Sequence, residues 1–241
     1  MQTSIGTGKV AVVTGGTRGI GRAVAERLLQ EGAAVAICGR EQAGVDRAVA
    51  EMGALGKVSG FAANVADYGQ AAAFIADAAA RHGGIDILVN NAGMGVFRPM
   101  QQLTPEEWRS MIELNLNGTF YCCREALPHL KKSDAAYIFN ISSLAGKNPF
   151  KGGSGYNASK FGVEGFTEAM MLDHRGDGIR VTTIMPGSVD TGFGGVPGQS
   201  TKTHDWKIAP DDIASVIVNL LQMPRRTLVS RVEMRPAFPP S

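Results

Sequence analysis

The chain is predicted to fold as a doubly wound parallel α/β sheet of about seven strands, with helices on both faces in three α/β/α layers. Three observations predict it. Short β-branched runs alternate with longer amphipathic stretches along the whole chain, as a parallel sheet with crossover helices requires. The first such run passes directly into a glycine-rich turn, Thr14-Gly-Gly-Thr-Arg-Gly-Ile-Gly21. The length, 241 residues with no internal repeat and no linker-like block, suits one domain spanning 1–241 with a substantial core.

The elements follow in order. Residues 9–14 read as the first strand and 19–31 as the helix after it. Residues 33–38 form the second strand, followed by a helix over 42–55. A weaker strand at 57–63 precedes an Ala-rich helix over 67–81, and 85–89 is the fourth strand. Thr104-Pro-Glu-Glu107 carries helix-start signals: Thr as N-cap, Pro at the first helical position, Glu at the third. That helix is expected to run to Leu130. Strands at 136–141 and 179–184 flank a helix over 156–174. Residues 186–207 are loop-like, and Pro210 starts a last helix to Gln222 before a seventh strand at 228–234. Right-handed crossovers bring the carboxyl ends of the strands to one edge, where ligands bind.

Composition excludes several classes. Net charge is +2, and no basic run exceeds two residues, which argues against a nucleic-acid partner. Three cysteines (Cys38, Cys122, Cys123) and four scattered histidines offer neither a disulfide framework nor metal-ligand spacing. No apolar run approaches the ~18 residues of a membrane span, and the first residues lack a signal-peptide core. A cytoplasmic protein with no membrane and no metal is the expectation. Glycine is abundant, 31 of 241, and each use of it calls for a reason.

The glycine turn supplies one. Its spacing, Gly15, Gly19 and Gly21, departs from G-x-G-x-x-G because Thr17 holds the second glycine position. A strand-to-helix turn of this kind lets a pyrophosphate approach the helix N-terminus, although an ordinary glycine-rich turn has the same composition. The second strand discriminates between dinucleotides. An NAD site places an acid at its end for the ribose 2′-hydroxyl. Here the strand ends Ile37-Cys-Gly-Arg40, so Arg40 and Arg18 are candidates to bracket a 2′-phosphate, or else are two solvated arginines.

Tyr156 and Lys160 are four apart on a predicted helix and share a face. A free tyrosine titrates near 10, and a neighbouring ammonium favours its phenolate. Ser143, just past the fifth strand, offers a hydroxyl to a substrate oxygen at the same edge.

Taken together, these motifs resemble the short-chain dehydrogenase/reductase family in its short form, a Rossmann-type fold, over essentially the whole length. The matching elements are the turn 14–21, Asn90-Asn-Ala-Gly93, Asn115, Ser143, Tyr156-Asn-Ala-Ser-Lys160, and Pro186-Gly187 through Thr191. The resemblance implies NADP(H) as cofactor and hydride transfer to or from a carbonyl or secondary alcohol. Tyr156 would be the general acid or base. Lys160 would lower its pKa and hold the nicotinamide ribose, Ser143 would orient the carbonyl, and Asn115 would support a water relay behind Lys160. Gly15, Thr17, Gly19, Ile20 and Gly21 would bind the cofactor, the glycines at its pyrophosphate, and Arg18 and Arg40 would bracket the 2′-phosphate. Asn64 and Val65 would meet the adenine, with Asn64 standing where the family usually carries Asp. Asn91, Ala92 and Gly93 would line the adenosine ribose. Pro186, Gly187, Val189 and Thr191 would hold the nicotinamide amide.

The substrate is less legible. Met94, Val96, Phe97, Phe150 and Phe193 are candidate apolar walls, and the segment 186–207, with Gly192, Gly194, Gly195 and Gly198, resembles the family's mobile substrate loop. Among similar proteins a common activity is 3-oxoacyl-[acyl-carrier-protein] reduction, for which Lys131, Lys132 and Arg175 would form a basic patch toward the acyl carrier protein. The C-terminal sequence is unlike those reductases, so that activity stands second. A non-catalytic NADP(H) sensor or regulatory subunit is the alternative of another class. A homotetramer, or a homodimer, is the family's expectation.

Overall fold

The computed structural model describes residues 6–193 and 205–239. Seven parallel strands form one sheet in the order β3-β2-β1-β4-β5-β6-β7. They are β1 Val10–Val13, β2 Ala34–Gly39, β3 Val58–Ala62, β4 Ile87–Asn90, β5 Tyr137–Ile141, β6 Arg180–Pro186 and β7 Arg231–Met234. The helices are α1 Gly19–Gln30, α2 Gln42–Met52, α3 Tyr68–His82, α4 Pro105–Ile112, α5 Gly118–Leu130, α6 Ser154–His174 and α7 Pro210–Gln222. Strand order reverses between β1 and β4, so a crevice opens at their carboxyl ends. The loop glycines Gly194, Gly195 and Gly198 lie outside the described residues.

Both faces of the sheet are covered, which is why its strands read as unbroken apolar runs. In β1, Ala11 and Val13 face a core shared with Val24 and Leu28 of α1 and Ile213 and Ile217 of α7. Val12 faces the opposite core, with Phe74 of α3 and Cys122 and Ala126 of α5. The in-register partners of Val12, Ala36 and Leu88, join it there. Each fully buried Val, Leu or Phe contributes about 1.5–3 kcal/mol. All three cysteines are free and buried, packed as small apolar groups.

The predicted cap at Thr104 forms, and a second, at Asp67, joins it. Thr104 Oγ1 accepts from Glu107 N at 3.2 Å, and Glu107 Oε2 accepts from Thr104 N at 3.0 Å, a reciprocal box that fixes the start of α4. Asp67 caps α3 by accepting from Gln70 N at 2.8 Å.

The expected single helix over 104–130 is interrupted. Between α4 and α5, Glu113–Asn117 is π-helical. The physical reason is an inward asparagine: Asn115 is buried and bonded to the segment after β4. Its displaced carbonyl accepts from Thr119 Oγ1 at 2.8 Å, which repairs the local hydrogen bonding. Other boundaries shift slightly. α2 stops at Met52, where Gly53 leads into a turn; α6 starts at Ser154, where Gly153 O accepts from Asn157 N at 2.7 Å. β7 starts at Arg231 because residues before it meet β6 only through single bonds, such as Thr182 Oγ1 to Val229 O at 2.6 Å.

Candidate active site

The crevice is built outward from the end of β1. Thr14 Oγ1 accepts from both Asn91 N and Ala92 N at 3.0 Å. Asn91 Nδ2 returns the contact, donating to Thr14 O at 3.0 Å and Gly15 O at 3.2 Å. The glycine turn is thereby tied to the end of β4. A Cβ on Gly21 would collide with Asn91 Nδ2 and with the Gly15 carbonyl, so no larger residue fits there. Of the residues expected along the adenosine ribose, Asn91 thus also grips the turn itself.

The N-terminus of α1 is open. Arg18 at the N-cap has extended backbone and makes no side-chain cap, and the first turn has no acid. Its leading amides are free for an anion, and the helix dipole favours one. Arg18 and Arg40 are exposed, and among the described residues neither has an acidic partner within ion-pair distance. Gly39 has a packing reason as well: a Cβ there would lie 2.7 Å from Thr17 Cγ2. Ile20 packs against the core on the α1 side. On the far side, Thr191 comes down beside Gly19, so that a Cβ at Gly19 would meet Thr191 Cβ at 3.2 Å. Val189 bridges Ile208, and Gly187 N donates to Met234 O at 2.8 Å. Asn64 Oδ1 accepts from Ala66 N at 3.3 Å to shape the turn after β3. Val65 is buried, its carbonyl against Gly118.

Ser143, Tyr156, Lys160 and Asn115 gather at the carboxyl end of β5. Ser143 is two residues past the strand, its Oγ accepting from Ala145 N at 3.1 Å and 3.5 Å from Pro186 O. Tyr156 is 8% exposed and Lys160 5%, and Lys160 Nζ lies 5.8 Å from the Tyr156 ring centroid. Lys160 Nζ donates to Ile141 O at 2.9 Å. Gly93 fits between Asn115 Oδ1 and Lys160 Nζ, which a Cβ there would approach to 3.2 and 3.8 Å. Asn115 holds the Met94 backbone at both ends, accepting from Met94 N and donating to Met94 O at 2.8 Å each. It also donates to Ser159 Oγ at 2.9 Å.

Burial dominates the electrostatics. It pushes the Tyr156 phenol above its usual 10, with a Ser143 hydrogen bond pulling the other way. The expected lowering by Lys160 is not the controlling influence here. Burial also brings Lys160 down to about 8, with Glu164 opposing. At neutral pH Tyr156 therefore holds its proton and Lys160 is mostly charged.

An aromatic cap covers Tyr156. Phe97 stands edge-on to its ring, centroids 5.4 Å apart at 89°, and Phe193 is tilted at 5.8 Å. Phe150 stacks edge-on to Phe97 at 5.6 Å, while Met94 and Val96 pack beside Tyr156 and Met111. All five predicted wall residues are thus brought to one side of the site. Two residues were not singled out from the sequence. Thr14 looked like the last residue of a strand. Glu164 is buried one turn beyond Lys160, and its only signal was the i,i+4 spacing.

A family model described as short chain dehydrogenase matches residues 9–199. An uncharacterized oxidoreductase of Staphylococcus aureus is 33% identical over 230 residues, covering 95% of this chain and 98% of that protein. A 3alpha-hydroxysteroid dehydrogenase of Mediterraneibacter gnavus is 38% identical over 186 residues, covering 76% of this chain and 74% of its own. The crystal structure of a metagenomic short-chain oxidoreductase in complex with NADP superposes with a TM-score of 0.84 at 34% identity, covering 98% of this chain and 100% of that one.

The tie at Thr14 predicts a measurable cost. Thr14→Val keeps the shape and leaves two partly buried amides unpaired, so urea unfolding should report a loss of about 1–2 kcal/mol. Unchanged stability would mean that the amides find other partners.

Proposed function

Because the chain belongs to the short-chain dehydrogenase family, we propose that it is an NADP(H)-dependent oxidoreductase that interconverts a carbonyl and a secondary alcohol. The observation that carries the reading is the meeting of Ser143, Tyr156 and Lys160 beside the open N-terminus of α1. The residues present fit the cofactor. An uncapped helix end suits a pyrophosphate, and Arg18 and Arg40, without acidic partners, suit a 2′-phosphate. The NADP bound by the metagenomic relative supports the same choice.

The cofactor supplies or takes up the hydride when bound. The protein supplies position and the proton. In reduction, the Tyr156 hydroxyl gives its proton to the carbonyl oxygen, and its upward shift keeps that proton available. Ser143 Oγ donates a hydrogen bond to the same oxygen. Lys160 stabilises the phenolate that remains and returns a proton to it. Asn115 holds Met94 and Ser159 on either side of this group.

Phe97, Phe150 and Phe193 favour a carbonyl flanked by apolar surface. The acyl-carrier-protein activity is less well supported, since Lys131 of the basic patch is committed to Asp177 at 2.9 Å. The free, buried cysteines are compatible with a cytoplasmic location, and no helix among the described residues is long and apolar enough to cross a membrane. Phe120, Phe161 and Leu172 are exposed on α5 and α6, and the proposal includes their burial in a homotetramer.

Three measurements test this reading. NADPH oxidation is expected with some member of a panel of ketones, aldehydes and 3-oxoacyl thioesters, and Tyr156→Phe should reduce turnover at least ~10³-fold while NADPH binding changes little. Tight NADPH binding without turnover across the panel would instead favour the sensor. Arg40→Ala should weaken NADPH by about tenfold or more and NADH hardly at all; equal losses would make Arg40 a mere surface charge. Light scattering should give four times the mass of one chain, and a monomer would remove the assembly from the proposal.

A further inference from the structure

We propose that Glu164 is a positioning residue for this site, whose charge one helical turn away keeps the buried Lys160 ammonium protonated. The inference rests on the Ser143–Tyr156–Lys160 reading and adds a residue to it. Lys160 and Glu164 are one turn apart on α6, 5% and 8% exposed. The hydrogen-bond partner of Lys160 Nζ is the neutral Ile141 carbonyl, which balances no charge. Both Glu164 carboxylate oxygens are buried, with the Ser142 hydroxyl and Arg231 as their polar neighbours. The buried Ser142 hydroxyl lies beside this carboxylate, and a Cβ on Gly146 would meet both Ser142 Oγ and Glu164 Cγ at 3.0 Å. Within α6, the charge this buried carboxylate faces is the Lys160 ammonium one turn before it.

The other charged neighbours do not take that role away. Arg231 on β7 is 3.6 Å from Glu164 Oε2, but it is half exposed and shared with Glu168, again at 3.6 Å. Glu233, also on β7, is held by Lys147 at 2.7 Å. A cavity of about 120 Å³ lies against Glu164, Thr167, Thr183, Ser230 and Arg231, on the β7 side and away from the cofactor crevice. Glu164 thus lines this cavity one helical turn from Lys160. Burial pushes its carboxyl up, while Ser142, Arg231 and Lys160 pull it down, and Glu164 in turn opposes the fall of Lys160. Removing the carboxylate leaves Lys160 to lose its proton at lower pH.

The first test needs no turnover. In protein carrying ¹³Cε-lysine, with the Lys160 signal assigned by Lys160→Arg, the titration midpoint should fall by about one pH unit in Glu164→Gln. Glu164→Asp should restore part of the difference. An unchanged midpoint in Glu164→Gln overturns the proposal. If that variant does not fold, Arg231→Ala carries the test: with the competing cation gone the midpoint rises, and a midpoint that stays or falls overturns the proposal. The second test is kinetic. With NADPH and a carbonyl that the wild type reduces, the ratio of Glu164→Gln to wild-type kcat/KM should drop about tenfold between pH 6.5 and 8.5. A loss equal at every pH would mark Glu164 as structural. A wild type that reduces no carbonyl would remove the catalytic reading, while the NMR midpoint would still decide the pairing.

Discussion

One hydroxyl organises the functional edge of this sheet. Thr14 sits where β1 ends, and its Oγ accepts two backbone amides from the residues that follow β4. Asn91 closes the circuit by donating to the carbonyls of Thr14 and Gly15. The segments that follow these two paired strands are thus pinned by four hydrogen bonds at the floor of the crevice. The pin extends the β1–β4 ladder into the glycine turn and toward Gly93, the residue that leaves room between Asn115 and Lys160. Cofactor cradle and proton-transfer group are held in one frame by this contact.

Above that floor, the site's properties come from burial. Tyr156, Lys160 and Glu164 are ionisable groups taken out of water, each shifted against its charged form by the same cause. The opposite charges of Lys160 and Glu164 offset part of the cost, so neither can be changed without altering the other. The rings of Phe97 and Phe193 add to the exclusion of water over Tyr156, and they do so on the side from which an apolar substrate would arrive. Dryness around the phenol and apolar recognition share the same side chains.

The layering and order of elements were legible because alternation and turn chemistry are local. So were the glycine turn and the Tyr156–Lys160 spacing, since one lies within eight residues and the other within one helical turn. Thr14 was not, because its role depends on β4 being its neighbour, some 75 residues away in the chain. The apolar walls were visible as residue types, but which ring meets Tyr156 depends on how three loops converge. Glu164 had the right spacing and an ordinary look: a glutamate on a helix is usually solvated, and only the packing of β6 and β7 over α6 buries it.

The π-helical segment Glu113–Asn117 adds a consequence for how this chain tolerates change. One surplus residue in a helical turn rotates everything after it by about 100° relative to a continuous α-helix. Trp108 and Met111 on α4 and Cys122 and Ala126 on α5 therefore answer to two different phases. A single-residue deletion between them would restore a regular helix and leave the buried stripe of α5 where it is, but would take Asn115 out of its inward position. Length within this stretch is accordingly under tighter constraint than the identity of its exposed residues, the reverse of what holds in the surface loops.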